Sequence, residues 1–266
     1  MSGSRPAGRG GALVTGASSG IGRELARRIA ADGWRVALVA RRAERLEALA
    51  DDLRARHGAE VRVVPADLAA PDGPALVERE LEALGLEVDF LVNNAGFGTW
   101  GPFVEQSLEC QLEMLRVNVM ALTELTGRFL PRMRSRGHGV VLNVASLAGF
   151  QPGPGMAVYY ASKAYVLHFS EALREELRGS GVSVTALCPG PTASEFQARA
   201  AMTGSRIGRN PFMMEAGRVA EAGYRGAMRS RAVVVPGALN RVASRLPRLF
   251  PRAITRRAAA LVNAER

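Results

Sequence analysis

The chain has 266 residues, 47% of them apolar and 23% charged, with a formal net charge of +10. A single domain this long buries roughly 70–75% of its unfolded surface, so disorder, collagen and a disulfide scaffold are excluded as descriptions of the whole. Two cysteines, Cys110 and Cys188, and three histidines, His57, His138 and His168, form no ligand-like spacing, so no metal site is expected and a reducing compartment fits.

Ala12 to Thr15 is a short apolar strand that enters a glycine-rich turn, Gly16 to Gly22, followed by a helix over Arg23 to Ala31. Trp34 to Ala40 (WRVALVA) is a continuous apolar run, the pattern of a strand buried on both faces of a parallel sheet. Helices over Ala43–Arg56 and Pro74–Leu84 alternate with strands over Val61–Pro65 and Val88–Val92. Leu108–Val119 and Leu122–Met133 read as two helices, Gly139–Val144 as a strand, Val158–Leu177 as a long helix, and Val182–Leu187 and Ala232–Val235 as the last strands. This alternation predicts a single-domain, Rossmann-type α/β fold: a doubly wound parallel sheet of about seven strands with helices on both faces. The domain is expected to span residues 1–236, with a basic amphipathic tail over 237–266.

No apolar run reaches the ~18 residues of a spanning helix, and the first residues carry Arg5 and Arg9 without an apolar stretch. A cytoplasmic location is therefore expected. From Arg231 onward there are eight arginines against Glu265, while the rest of the chain is nearly balanced. Leu239, Val242, Ala243, Leu246, Leu249 and Phe250 follow helical spacing in the tail, with Arg241, Arg245, Arg248 and Arg252 on another face and Pro247 and Pro251 as interruptions. Two readings of the tail stand: a helix packed on its own domain or on a neighbouring subunit, or a peripheral contact with an anionic membrane. Nucleic acid is not expected as a partner, because the balanced body offers no groove reader.

Gly16, Gly20 and Gly22 follow a strand and open a helix, where backbone N–H groups can approach a pyrophosphate. Arg41 and Arg42 end the second strand, where an acidic residue would hold a ribose hydroxyl and arginine accommodates a 2′-phosphate. This favours NADP(H) over NAD(H). Asp67, Asn93-Asn94-Ala95-Gly96, Ser146 and Pro189-Gly190 follow the third, fourth, fifth and sixth strands, on the rim where open α/β sheets bind ligands. Tyr159 and Lys163 lie four apart on one helix face, and Lys163 is the only lysine in an arginine-rich chain. A nearby cation would lower the tyrosine pKa toward working pH, and a compact ammonium does this without the bulk of a guanidinium.

Taken together, Thr15–Gly22 (TGASSGIG), Asn93–Gly96 (NNAG), Ser146 and Tyr159-Tyr160-Ala161-Ser162-Lys163 resemble the classical short-chain dehydrogenase/reductase family, over about Ala12 to Val235. The resemblance implies that Tyr159 is the general acid, that Lys163 lowers its pKa and holds the nicotinamide ribose, and that Ser146 bonds the substrate oxygen. It implies that Asn118 anchors a water in a proton relay. The turn residues Gly16, Ser18, Ser19, Gly20, Ile21 and Gly22, together with Asn94, Ala95 and Gly96, would bind the cofactor. Asp67 would contact its adenine, and Pro189, Gly190 and Thr192 its nicotinamide. Position 19 is Ser where many NADP-dependent relatives carry a basic residue, so phosphate recognition would rest on Arg41 with Arg42 beside it.

The implied function is hydride transfer between NADP(H) and a ketone or secondary alcohol. A homodimer or homotetramer is implied by the same resemblance. An apolar substrate, such as a 3-oxoacyl chain or a ring ketone, is expected from Phe97, Trp100, Phe103, Phe150 and Met156, and from Phe196, Met202, Ile207, Phe212, Met213 and Met214 on a substrate loop over 191–215. The competing reading is a catalytically silent nucleotide sensor or scaffold, which fold alone does not exclude. The complete Ser146–Tyr159–Lys163 set argues for turnover, since a sensor needs only the nucleotide contacts.

Overall fold

The structure is a computed structural model describing residues 9–196, 200 and 213–263. In chain order the elements are β1 (Arg9–Thr15), α1 (Gly20–Ala31), β2 (Trp34–Ala40), α2 (Ala43–His57), β3 (Val61–Pro65), α3 (Gly73–Ala83) and β4 (Val88–Asn93). There follow α4 (Leu108–Leu115), α5 (Leu122–Arg136), β5 (Gly139–Val144), α6 (Ala157–Glu176) and β6 (Val182–Leu187). Then come β7 (Thr192–Ala193), β8 (Met214–Glu215), α7 (Ala216–Met228), β9 (Val233–Val234), α8 (Ala238–Arg245) and α9 (Arg252–Asn263).

Seven strands form one parallel sheet in the order β3-β2-β1-β4-β5-β6-β9. The apolar run of β2 explains its central place. Val36 and Leu38 face one core with Leu25 and Ile29 of α1 and Leu46 of α2, while Ala37 and Val39 face the other with Leu125 and Phe129 of α5. Successive side chains alternate between faces, so a strand covered on both sides is apolar throughout.

β1 lies between β2 and β4, where chain order reverses and a crevice opens at the carboxyl edge. The Thr15 hydroxyl ties the crevice walls together. It donates to the Val92 carbonyl (3.1 Å) and accepts from the backbone N–H groups of Asn94 (2.9 Å) and Ala95 (3.0 Å).

Several elements differ from the sequence expectation, among them the short parallel pair β7–β8, which it did not contain. α1 begins at Gly20 rather than Arg23. The two expected helices over 108–133 are one helical run, whose turn Arg116–Ala121 widens to π-helical geometry. α7 has no counterpart in the sequence reading. Its buried face is built largely from small residues, Ala220, Gly223, Gly226 and Ala227, which leave a weak apolar pattern. It is seated instead by Tyr224, whose hydroxyl accepts from the Trp34 indole (3.3 Å) and whose ring lies 4.5 Å from the Arg28 guanidinium.

Candidate active site

Tyr159 and Lys163 sit on the first turns of α6, one turn apart. The Lys163 ammonium is buried and donates to the Val144 carbonyl at the end of β5 (2.8 Å). Burial pushes its pKa down to about 8. Its Nζ lies 5.8 Å from the Tyr159 ring centroid. The Tyr159 phenol is half-buried, and loss of water around it pushes its pKa up to about 12, with Ser146 pulling the other way and Tyr160 adding to the rise. Lys163 has no part in this shift, so the expected lowering by its ammonium is not seen in this structure. A phenol with that pKa is protonated at neutral pH, the state a proton donor needs.

Ser146 follows β5, and its Oγ accepts from the backbone N–H of Ala148 (3.1 Å). This fixes the hydroxyl beside Tyr159. Asn118 lies in the π-helical turn, a geometry common at functional sites. Its Oδ1 accepts from the Phe97 N–H (3.0 Å), and its Nδ2 donates to the Phe97 carbonyl (2.9 Å) and to Ser162 Oγ (3.1 Å). Ser162 Oγ donates in turn to the Tyr159 carbonyl (2.7 Å). Asn118 thus couples the NNAG loop to the turn that carries Tyr159. Gly96 permits the approach: a Cβ there would lie 2.9 Å from Asn118 Oδ1 and 3.4 Å from Lys163 Nζ.

At the other end, Gly16 has φ +65°, and a Cβ on Gly22 would lie 2.3 Å from the Asn94 amide nitrogen. The N-cap Ser19 makes no side-chain capping bond, which leaves the N–H groups opening α1 facing the cradle. A glycine cradle at a helix N-terminus fits a pyrophosphate. Arg42, rather than Arg41, closes this end: its Nη2 donates to Ser18 Oγ (3.0 Å) and Ser19 Oγ (3.3 Å). Arg41 turns to Glu113 (3.2 Å) and lies 4.0 Å from Asp67. Asp67 Oδ1 accepts from the Ala69 N–H (3.0 Å).

One cavity of about 790 Å³ runs between the two ends, lined by all the expected site residues except Gly22 and Asn118, which stand behind its wall. Such a volume suits a cofactor-sized ligand. Its far end is apolar. Phe97, Met156, Tyr160 and Phe196 line it, and the Phe196 ring centroid lies 5.3 Å from that of Tyr159. Trp100 packs on the same cluster. Phe103 is instead exposed, and Phe150 packs beside Leu122 and Val166 in another part of the core. Met214 packs against the α1-side core, and Met202, Ile207 and Phe212 lie outside the described residues.

Glu195 is a lining residue the sequence reading missed. Its carboxylate pairs with Arg42 (3.0 Å) and Arg45, which hold it below the usual carboxylate range. No local signal marks it, because its partners are about 150 residues away in the chain.

Residues 11–203 match the family model described as short chain dehydrogenase. A very-long-chain 3-oxoacyl-CoA reductase of Anas platyrhynchos is 36% identical over 183 residues, which cover 67% of this chain and 58% of that protein. The chain therefore spans under two thirds of that relative's length. A short-chain dehydrogenase from Sphingobium yanoikuyae, solved in complex with NADPH, superposes with a TM-score of 0.82 at 38% identity, covering 91% of this chain and 92% of that one. The bulky-bulky ketone specific alcohol dehydrogenase from Comamonas testosteroni superposes with a TM-score of 0.76 at 32% identity, covering 93% and 97%.

Proposed function

The chain belongs to the short-chain dehydrogenase family, and on that premise we propose that it is an NADP(H)-dependent oxidoreductase acting on a ketone or secondary alcohol with an apolar body. The observation that carries the reading is the Tyr159 hydroxyl. It stands beside Ser146 and one helical turn from Lys163, in the same cavity as the glycine cradle and Arg42.

NADPH, when bound, supplies the hydride that reaches the carbonyl carbon. The chain supplies positioning and the proton. Ser146 Oγ and the Tyr159 O–H converge on one point and would hold the carbonyl oxygen. As negative charge grows there, Tyr159 gives up its proton, because a forming alkoxide is a stronger base than a phenolate. Lys163 then faces the phenolate and stabilises it. Gly16, Gly20 and the N–H groups of α1 would hold the pyrophosphate, with Gly22 letting Asn94 pack behind the turn. Asp67 would border the adenine, and Arg42 with Ser18 and Ser19 would take a 2′-phosphate, which favours NADP(H). Asn94, Ala95, Pro189, Gly190 and Thr192 would border the nicotinamide. The apolar lining of Phe97, Met156, Tyr160 and Phe196 supports the substrate class, and so do the very-long-chain 3-oxoacyl-CoA reductase and the bulky-bulky ketone specific alcohol dehydrogenase among the similar proteins.

Two exposed apolar faces carry the partner part of the reading. Leu108, Leu112, Met120 and Tyr165 leave one face open between α4, α5 and α6, suited to a second copy of the chain. Leu239, Val242, Leu249, Ile254 and Leu261 are exposed on a tail whose arginines have no acidic neighbour within 238–263, which suits an anionic bilayer. No helix among the described residues is long and apolar enough to cross a membrane.

NADPH oxidation screened over ketones of graded length and polarity tests the main reading. Consumption that rises with apolar size is expected. A preference for sugars or small polar carbonyls removes the substrate class, and NADPH binding without turnover of any ketone favours the silent sensor.

A further inference from the structure

We propose that Asn263, the last residue of α9, is a positioning residue of the substrate wall: it clamps Tyr160 and the Trp100 loop and so sets which ketones the site accepts. The inference rests on the oxidoreductase reading. Asn263 is only 3% exposed, although its neighbours Leu261 and Val262 are 65% and 51% exposed. It ends the inward stripe of α9, one turn after buried Ala259 and two after Thr255.

Two segments far from it in sequence, at Trp100 and at Pro154–Tyr160, meet on it through three hydrogen bonds. Its Oδ1 accepts from the Tyr160 hydroxyl (3.1 Å), 103 residues away. Its Nδ2 donates to the Pro154 carbonyl (2.9 Å), and its main-chain carbonyl accepts from the Trp100 indole (2.7 Å). Losing one partner of such a buried set leaves the other unsatisfied, so the three contacts are held together.

The contacts lie at the substrate end of the cavity. Tyr160 lines it beside Tyr159, the two rings edge to face at 6.2 Å. On its other side the Tyr160 ring lies on Gly153, where a Cβ would come within 2.3 Å of it. With Gly153 beneath it and Asn263 at its hydroxyl, the ring has one available position. Trp100 packs with Met156, Tyr160 and Phe196, and its backbone N–H donates to the Ala200 carbonyl (3.1 Å). The tail thereby fixes the shape of the apolar end while standing apart from the nucleotide end.

The test uses the full-length protein with Asn263→Leu, Asn263→Asp, Tyr160→Phe and the Asn263→Leu/Tyr160→Phe pair. Each is assayed with NADPH against one bulky and one small ketone, with NADPH affinity measured separately. Asn263→Leu and Tyr160→Phe should each change the bulky-to-small ratio of kcat/KM by about five-fold or more. The pair should do no more than the larger single change, because the two residues act through one contact. Asn263→Asp keeps the Tyr160 acceptor and should fall between wild type and Asn263→Leu. NADPH affinity should stay within about two-fold.

Without nucleotide, in a Trp34→Phe background, Trp100 emission should shift to the red in Asn263→Leu, because losing the side-chain bonds to Tyr160 and Pro154 releases the end of α9 and with it the main-chain carbonyl that the indole meets. An unchanged ratio in both single variants, or an equal loss on every ketone together with NADPH affinity, overturns the proposal. If wild type turns over no ketone, the oxidoreductase reading fails by itself, and unchanged Trp100 emission then overturns the clamp as well.

Discussion

Lys163 is buried and Tyr159 half-buried, and loss of water moves them in opposite directions: the phenol up to about 12, the ammonium down to about 8. Each neutral form is favoured for the same reason, loss of water around the charge. For Tyr159 this preserves the proton to be donated, and Tyr159→Phe should lower kcat about 10²–10⁴-fold, the usual share of general acid catalysis, with NADPH affinity retained. Substantial activity in that variant would assign the proton to another group.

For Lys163 the consequence is a stability that depends on pH. The folded pKa of about 8 lies below the ordinary value of 10.5. Below pH 8 both states carry the proton, and the buried charge destabilises the fold in full. Between these two values the unfolded chain holds more protons than the native one, so stability rises with pH. Lys163→Met should therefore melt higher than wild type near pH 7, with the gap narrowing toward pH 10. A gap independent of pH would show that the ammonium is not desolvated.

At the scale of elements, the end of β2 meets the start of α1 through Arg42, and the segment after β7 reaches the same guanidinium through Glu195. Arg42→Asp should weaken NADPH binding at least about ten-fold while sparing NADH, since a charge-assisted contact is worth roughly 1.5–3 kcal/mol. Arg41→Asp should do less, because Arg41 is engaged by Glu113. Glu195→Gln should tighten NADPH about two- to five-fold, the scale of one exposed ion pair, by releasing the guanidinium to the phosphate. Isothermal titration with both nucleotides reads these effects, and a larger loss in Arg41→Asp would move the phosphate contact. The element boundaries were legible wherever an apolar run or a glycine marked them, as at β2 and at Gly58 after α2. The π-helical turn at Asn118 was not, because it is held by bonds to Phe97 and Ser162 that lie elsewhere in the chain.

Across the whole molecule, the two open apolar faces are on different elements and respond to different tests. Met120→Glu should shift sedimentation of the protein toward the monomer, since a charge in an apolar contact is costly. Flotation with phosphatidylserine vesicles should carry wild type upward, with Arg245→Glu/Arg252→Glu reducing recovery, because each basic residue near an anionic surface contributes about 1 kcal/mol. Wild type that stays in the soluble fraction with anionic vesicles would leave the tail to protein contacts alone.

The doubly wound sheet, the glycine turn and the Tyr159–Lys163 pair were legible in apolar runs, glycine spacing and one helical turn, whereas Ser146 joined that pair only through the resemblance to a known family. Only the fold decided that Arg42 bonds Ser18 and Ser19 while Arg41 turns to Glu113, that desolvation raises the Tyr159 phenol, and that Asn263 reaches Tyr160. Those outcomes depend on distance and desolvation between residues remote in the chain, and neither quantity is written in the order of amino acids.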